Sequence, residues 1–165
     1  MTRAWILPGD AAGAQAIYCN EDAQRYYVRG TLNEADVPSY LARLVATEEQ
    51  AGFGVWPVIE KSSRELVGAC GLSRVADLAG EVEIEWVFKE SARGKGYAKE
   101  VARAVLHYAF GHMHLTRVCA LVDRENAASI AIINRLGLRF QGIVRAYNRD
   151  LMQYVTTPPA GLNRA

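Results

Sequence analysis

The clearest pattern in the chain is a strict alternation. In Glu81-Val82-Glu83-Ile84-Glu85-Trp86-Val87-Phe88 acidic and apolar residues exchange places at every step, which is the period of a β-strand. One face presents Glu81, Glu83 and Glu85; the other presents Val82, Ile84, Trp86 and Phe88. A polar stretch with two glycines follows, and then the period changes. Ala98, Val101, Ala102, Val105, Leu106 and Ala109 recur at helical spacing, so a helix is predicted from near Gly96, with Gly111 at its C-terminal cap. Residues 118–122 read as a buried strand. Asn126 suits the N-cap of a short helix through Ile130 and Ile133 to Leu136, closed by Gly137. Two last strands, 138–144 and 151–155, are predicted around the turn Tyr147-Asn148-Arg149-Asp150.

The first half is less regular. A short strand is expected at 2–7, then a helix capped by Asp10 and running to about Cys19. After the turn-like Thr31-Leu32-Asn33, a second helix places Leu41, Leu44 and Val45 on one face, with Glu48 and Glu49 exposed, and stops at Gly52 and Gly54. Residues 53–60 and 66–72 form a hairpin around Lys61-Ser62-Ser63-Arg64. Pro57 cannot donate to a strand ladder, so the first of these strands belongs at an edge or a bulge. Strands interspersed with helices make this an α/β (α+β) chain. Its 165 residues, without repeat or linker, suit a single domain over 1–165.

Composition narrows the partners. Half of the residues are hydrophobic and 22% are charged, as in an ordinary folded protein. With 19 basic against 18 acidic residues the net charge is +1. That argues against nucleic acid held by phosphate neutralisation, while leaving room for a local basic pocket. No apolar run approaches the ~20 residues that span a bilayer, and the N-terminus does not read as a signal peptide. A cytoplasmic protein without a membrane partner is expected. Cys19, Cys70 and Cys119 are distant and odd in number, a pattern of bystander or buried thiols rather than of disulfides or metal ligands. His107, His112 and His114 flank a helix end and read as surface or capping groups; Trp5, Trp56 and Trp86 read as core. No metal is expected.

The strongest chemical signal is the loop between strand and helix, Arg93-Gly94-Lys95-Gly96-Tyr97-Ala98. A helix N-terminus offers unpaired N–H groups and partial positive charge. Glycines let the backbone close on an anion, and Arg93 and Lys95 add charge. The segment is suited to a phosphate or pyrophosphate; a solvated Gly/Lys turn is the plain alternative. It is not a P-loop, since no Gly-Lys-Ser/Thr ends the required spacing. Nor is it a dinucleotide fingerprint, because Lys99 occupies the third glycine position.

These residues resemble the GNAT acyltransferase superfamily. Its cofactor-loop signature, Gln/Arg-x-x-Gly-x-Gly/Ala, is matched by Arg93, Gly96 and Ala98. Residues 80–138 are similar to the branch that contains the ribosomal-protein serine and alanine N-acetyltransferases, through Glu-Val-Glu-Ile-Glu-Trp-Val-Phe, Ala-Arg-Gly-Lys-Gly-Tyr-Ala, Glu125-Asn126-Ala127-Ala128-Ser129-Ile130 and Leu136-Gly137-Leu138. The first strand is shorter than the family's. The resemblance implies a mixed, mostly antiparallel sheet flanked by helices, with the family's fourth and fifth strands, here 81–88 and 118–122, splayed at one end. Acetyl-CoA would be the co-substrate and an amine the acceptor, on a protein N-terminus or a small molecule, with a homodimer left open.

The resemblance also implies the site. The loop from Arg93 to Ala98 would hold the pyrophosphate, backbone groups of Val87 and Phe88 would bond the pantetheine arm as an added strand, and Asn126 would reach a pantetheine amide. An amine is mostly protonated at neutral pH and must lose a proton before attack. Glu83 is the first candidate base and Glu85 the second; three carboxylates on one face would repel and raise a pKa if buried, and a solvated strand face is the plain reading. The N–H of Val87 is a candidate oxyanion donor. Ser129, near the family's sulfur position, is a candidate acid, or else only a residue supporting the Asn126 cap. Where many relatives use Tyr this chain has Ile133, and where the protein-modifying branch places a Glu it has Asn148. Tyr147, next door, is a substitute acid. Two other readings stay open: a non-catalytic acyl-CoA sensor, and a different phosphate-binding enzyme such as a nucleotide transferase.

Overall fold

The computed structural model describes residues 11–27 and 29–159. The strand expected at 2–7, the cap Asp10 and Trp5 lie outside them. Along the chain come α1 (Ala11–Tyr18), α2 (Glu21–Gln24), α3 (Val37–Ala51), β1 (Val55–Ile59), β2 (Leu66–Arg74), β3 (Val82–Phe88), α4 (Tyr97–Gly111), β4 (Val118–Val122), α5 (Ala127–Arg135), β5 (Arg139–Ala146) and β6 (Arg149–Thr156). The described strands form a six-stranded mixed sheet in the order β1-β2-β3-β4-β6-β5, flanked by helices. The strands that the resemblance counts as fourth and fifth are β3 and β4. The chain falls into two compact units, Met1–Gly71 with Trp86–Ala98 and Leu72–Glu85 with Lys99–Ala165.

In the first unit, α1 buries Ala14 and Ile17 while α3 buries Leu41 and Leu44, and both share a core with Val55 and Val87. The short helix α2 was not legible beforehand; Asn20 opens it, its Oδ1 accepting from the N–H of Ala23 at 2.8 Å. Helix α3 has a proline in its first turn and ends at Gly52, whose φ of 76° lets its N–H reach Glu48 O at 2.8 Å. Glu48, expected exposed, is half-buried and accepts the indole N–H of Trp56 at 3.0 Å. Neither Trp56 nor Trp86 is fully buried. Strand β1 pairs antiparallel with β2 and comes first among the described strands of the sheet, with an irregularity at Val58/Ile59, the bulge setting that suits Pro57. Strand β2 is close to the end of β3: a Cβ at Gly68 would lie 2.4 Å from the Phe88 ring and 2.5 Å from Val87 O. Only glycine fits there.

In the second unit, β3 and β4 run parallel with Glu83 opposite Cys119. A parallel pair needs a long crossover, and α4 supplies it, burying Ala102, Val105, Leu106, Ala109 and Phe110. Gly111 is the last helical residue of α4 rather than a cap beyond it. Strands β4, β6 and β5 pair antiparallel. The β5–β6 connection is tighter than predicted. The strands extend to Ala146 and Arg149 and leave a two-residue turn, Tyr147-Asn148, with φ of 52° and 59°. Both angles are positive, as the twist of a two-residue hairpin demands. Asn tolerates this region readily, whereas an aromatic residue is uncommon in it. Strand β3 also departs from its amphipathic reading: Val82, Glu83 and Ile84 are all buried.

Candidate functional site

The loop after β3 lies wholly in the first unit. A 3-10 turn, Glu90–Ala92, leads into it, and α4 begins at Tyr97. Gly94 and Gly96 have φ of 76° and 86°, a region open to glycine and strained for other residues. The N–H groups of Gly94, Lys95 and Gly96 find no acceptor among the described residues, and a Cβ on either glycine would meet only open space. Exposed donors on a positive-φ backbone that leads into a 15-residue helix make the concavity that binds an anion. The residues therefore fit a pyrophosphate.

The flanking side chains are more committed than the sequence showed. Arg93 Nη2 donates to the backbone carbonyl of Asp22 in α2 at 2.9 Å. Lys95 Nζ lies 3.8 Å from Glu60 Oε1 and 5.9 Å over the Tyr97 ring. The Tyr97 hydroxyl donates to the same Glu60 oxygen in a short hydrogen bond, and Ser63 Oγ donates to the other at 2.6 Å. The Ser63 hydroxyl first, then Tyr97 and Lys95, hold the Glu60 carboxyl below its ordinary pKa. Val87 and Phe88 are buried at the end of β3, and Ala98 is half-buried.

The second unit gathers the proton-transfer candidates. Glu83 is 8% exposed, which overturns the solvated-face reading of this residue. The Tyr147 hydroxyl donates to Glu83 Oε2 at 2.8 Å, and the Tyr147 N–H donates to Asp77 Oδ2 at 2.6 Å. The candidate base and the candidate substitute acid are thus in direct contact. The three carboxylates of the strand have different settings: Glu81 takes two bonds from Arg117 Nε at 2.9 and 3.2 Å, Glu83 takes Tyr147, and Glu85 is half-buried. Cys119, facing Glu83 across the pair, has its thiol pushed up to about 12, by burial first and then by Glu83 and Glu81. It stays neutral through the working range.

Asn126 caps α5, its Oδ1 accepting from Ser129 N–H at 3.1 Å; a cap of this kind contributes about 1 kcal/mol. The cap uses only the oxygen, so both Nδ2 hydrogens remain without an acceptor among the described residues. Ser129 supports the cap through its backbone and is half-buried. His107, His112 and His114 are exposed, and His112 stacks on Tyr108 with ring centroids 5.1 Å apart. No group of three or more His, Cys, Asp or Glu among the described residues could hold a metal ion. No described helix is long and apolar enough to cross a membrane.

The family model of the acetyltransferase (GNAT) domain matches residues 3–139. The chain belongs to the GNAT acetyltransferase family. It is an acyltransferase enzyme. The Bacillus subtilis (strain 168) protein YkkB is 29% identical over 151 residues, 82% of this chain and 88% of that one. The crystal structure of a GNAT-family acetyltransferase from Bacillus anthracis superposes with a TM-score of 0.76 at 25% identity, covering 92% of this chain and 90% of that one. The spermidine N-acetyltransferase of Vibrio cholerae, solved in complex with CoA and spermine, shares the fold with a TM-score of 0.76 at 16% identity over 93% of each chain. These relatives share the family and the fold, and leave the acceptor of this enzyme to be argued from its own residues.

Sequence reasoning missed four groups now seen at these sites: Asp77, Glu60, and the carbonyl of Asp22 and thiol of Cys119. The first three reach their partners across 70, 37 and 71 residues. No local pattern carries such contacts. The parallel pairing that puts Cys119 beside Glu83 could have been drawn from a correct strand order alone.

Proposed function

We propose that this GNAT enzyme transfers an acetyl group from acetyl-CoA to a primary amine, on a protein N-terminus or a small molecule, by direct attack in a ternary complex, with the whole chain acting as one domain. The observation that carries the reading is the buried Glu83 carboxylate bonded by the Tyr147 hydroxyl. Acetyl-CoA supplies an activated thioester. The N–H groups of residues 94–96 and the start of α4 hold its pyrophosphate, with Lys95 as the nearest cation. Val87 and Phe88 offer backbone groups to the pantetheine arm, and Asn126 offers the Nδ2 hydrogens that its cap leaves free.

Glu83 accepts the proton that the attacking amine must lose, directly or through water. The Val87 N–H supports the developing oxyanion. Tyr147, already donating to Glu83, passes its proton to the leaving sulfur and recovers one from Glu83. Ser129 is the second candidate for that last step, and Glu85 for the first. The CoA and spermine bound to the Vibrio cholerae enzyme support the class of co-substrate and acceptor.

The test has two arms. Acetyl-CoA at ~100 times Kd should raise stability by about 2.7 kcal/mol without added metal, read as a shift in Tm. A panel of polyamines, amino acids and Ser- or Ala-initiated peptides should then release free CoA thiol with at least one member. An unmoved Tm with acetyl-CoA, beside a shift with ATP, overturns the co-substrate. Tight acetyl-CoA binding with no turnover of any amine favours an acyl-CoA sensor.

A further inference from the structure

Tyr147 carries a conflict that turn chemistry alone does not explain. It stands at the first position of a two-residue hairpin turn, where φ is 52°. Asn and Gly are the residues suited to that geometry, and Asn148 at φ 59° obeys the rule while Tyr147 does not. A bulky residue held in a sparsely populated conformation persists only where its surroundings over-determine it, and such positions gather at functional sites.

Here the surroundings can be named. Tyr147 is tied at both ends: its N–H to Asp77 Oδ2 at 2.6 Å and its hydroxyl to Glu83 Oε2 at 2.8 Å. Asp77 is a well-founded anchor. Its loop is closed by Val75 N–H to Glu81 O at 3.1 Å, by Leu78 N–H to Val75 O at 3.2 Å and by Glu81 N–H to Leu78 O at 3.0 Å. Glu81 is in turn bonded by Arg117. The Asp77 contact is exposed, and an exposed polar contact adds little to stability. What it does supply is direction. A carboxylate that takes the first N–H of the turn fixes the rotation of that peptide, and with it the vector along which the phenol leaves the backbone.

We propose that Asp77 is a positioning residue for proton transfer, holding the backbone of Tyr147 so that its hydroxyl meets Glu83. The inference rests on the reading of Glu83 and Tyr147 as the proton-transfer pair. It goes beyond that reading by assigning a role to a loop residue 70 positions away from the tyrosine.

A double-mutant cycle tests it, with the full-length enzyme, acetyl-CoA and whichever panel amine the wild type acetylates. Asp77→Ala should lower kcat about tenfold or more, while KM for acetyl-CoA stays within about twofold; misplacing a catalytic group is costly even when binding is intact. Asp77→Asn keeps an oxygen acceptor for the N–H and should retain most of the activity. In a Tyr147→Phe background, Asp77→Ala should cost less than about twofold, because the group it positions is gone. The same variants, labelled with ¹³Cζ-tyrosine, report the contact without turnover. The Tyr147 resonance, assigned by its loss in Tyr147→Phe, should move in Asp77→Ala towards its position in Glu83→Ala, where the acceptor is removed. Equal losses of kcat in both backgrounds, or an unmoved resonance, overturn the assignment. If Tyr147→Phe alone leaves kcat unchanged, the tyrosine is not part of the chemistry, and the underlying reading fails along with the role of Asp77. A moved resonance would then still show that the contact exists.

Discussion

Two carboxylate–phenol pairs, one in each unit, use the same two residue types in opposite settings. At the phosphate loop, Glu60 meets Tyr97 near the surface, with Ser63 and Lys95 also on the carboxylate. In the second unit, Glu83 meets Tyr147 with only 8% of the glutamate exposed, beside a thiol that burial keeps protonated. Extra donors and a nearby cation favour the charged form of a carboxylate, and burial disfavours it. Glu60 is therefore a poor base and a good anchor: it holds Tyr97 and Lys95 where α4 begins. On the function proposed above, the Glu60 pair serves binding and the Glu83 pair proton transfer, so each variant should disturb one function and spare the other.

The largest effect is expected at Gly96. Valine at φ 86° is strained whatever space surrounds it, since β-branched residues scarcely visit positive φ. Gly96→Val should abolish detectable acetyl-CoA binding by isothermal titration. It should also cost the apo protein roughly 1–3 kcal/mol, at about 2–4 °C of Tm per kcal/mol for a chain of this size. Arg93→Ala gives a graded control: it removes a charge and the bond to Asp22 but no loop N–H, so binding should weaken without vanishing. A folded Gly96→Val protein that binds acetyl-CoA normally would break the comparison at its first term.

Glu83→Gln comes next. It keeps the shape and an acceptor for Tyr147 while removing the base, so kcat should fall about a hundredfold or more at neutral pH. The affinity for acetyl-CoA should stay near that of wild type. An unchanged pH–rate profile would move the role to Glu85 or to water. A loss of acetyl-CoA binding equal to the loss of rate would show that the division between the two pairs is wrong.

The parts of this division that were legible in advance are those written locally. The alternation of β3, the helical stripe of α4 and the Asn126 cap each depend on residues within one or two turns. The same local view left Glu83 open between a buried base and a solvated face, because alternation cannot distinguish a strand with one wet face from one buried on both. It named Tyr147 without seeing that the residue reaches Glu83, because that contact closes over 64 residues. It missed the clamp at Glu60 for the same reason. The loop motif marks a candidate anion site; what holds Lys95 and Tyr97 there is decided by a hairpin turn 37 residues upstream of the tyrosine.

The smallest effect, and the one that most sharpens the comparison, belongs to Glu60→Gln. If Glu60 is an anchor whose charge competes with phosphate for Lys95, removing the charge should tighten acetyl-CoA binding. An exposed ion pair of this kind is weak, so the gain should be only about two- to fivefold at low salt and should shrink as salt rises. Glutamine still accepts the Tyr97 hydroxyl, so the loop geometry is retained; a fall in affinity would instead mean that the charge on Glu60 organises the loop. Stability follows the opposite course. The pKa of Glu60 is lowered in the folded protein, by Ser63 first, then Tyr97 and Lys95. Its contribution is therefore present above the ordinary carboxylate pKa and is lost as pH falls through the lowered value. Melts of wild type and Glu60→Gln should differ at neutral pH and converge in acid, where the wild-type carboxyl is protonated as well. Glu83→Gln, changed in kcat, should show no such gain in affinity.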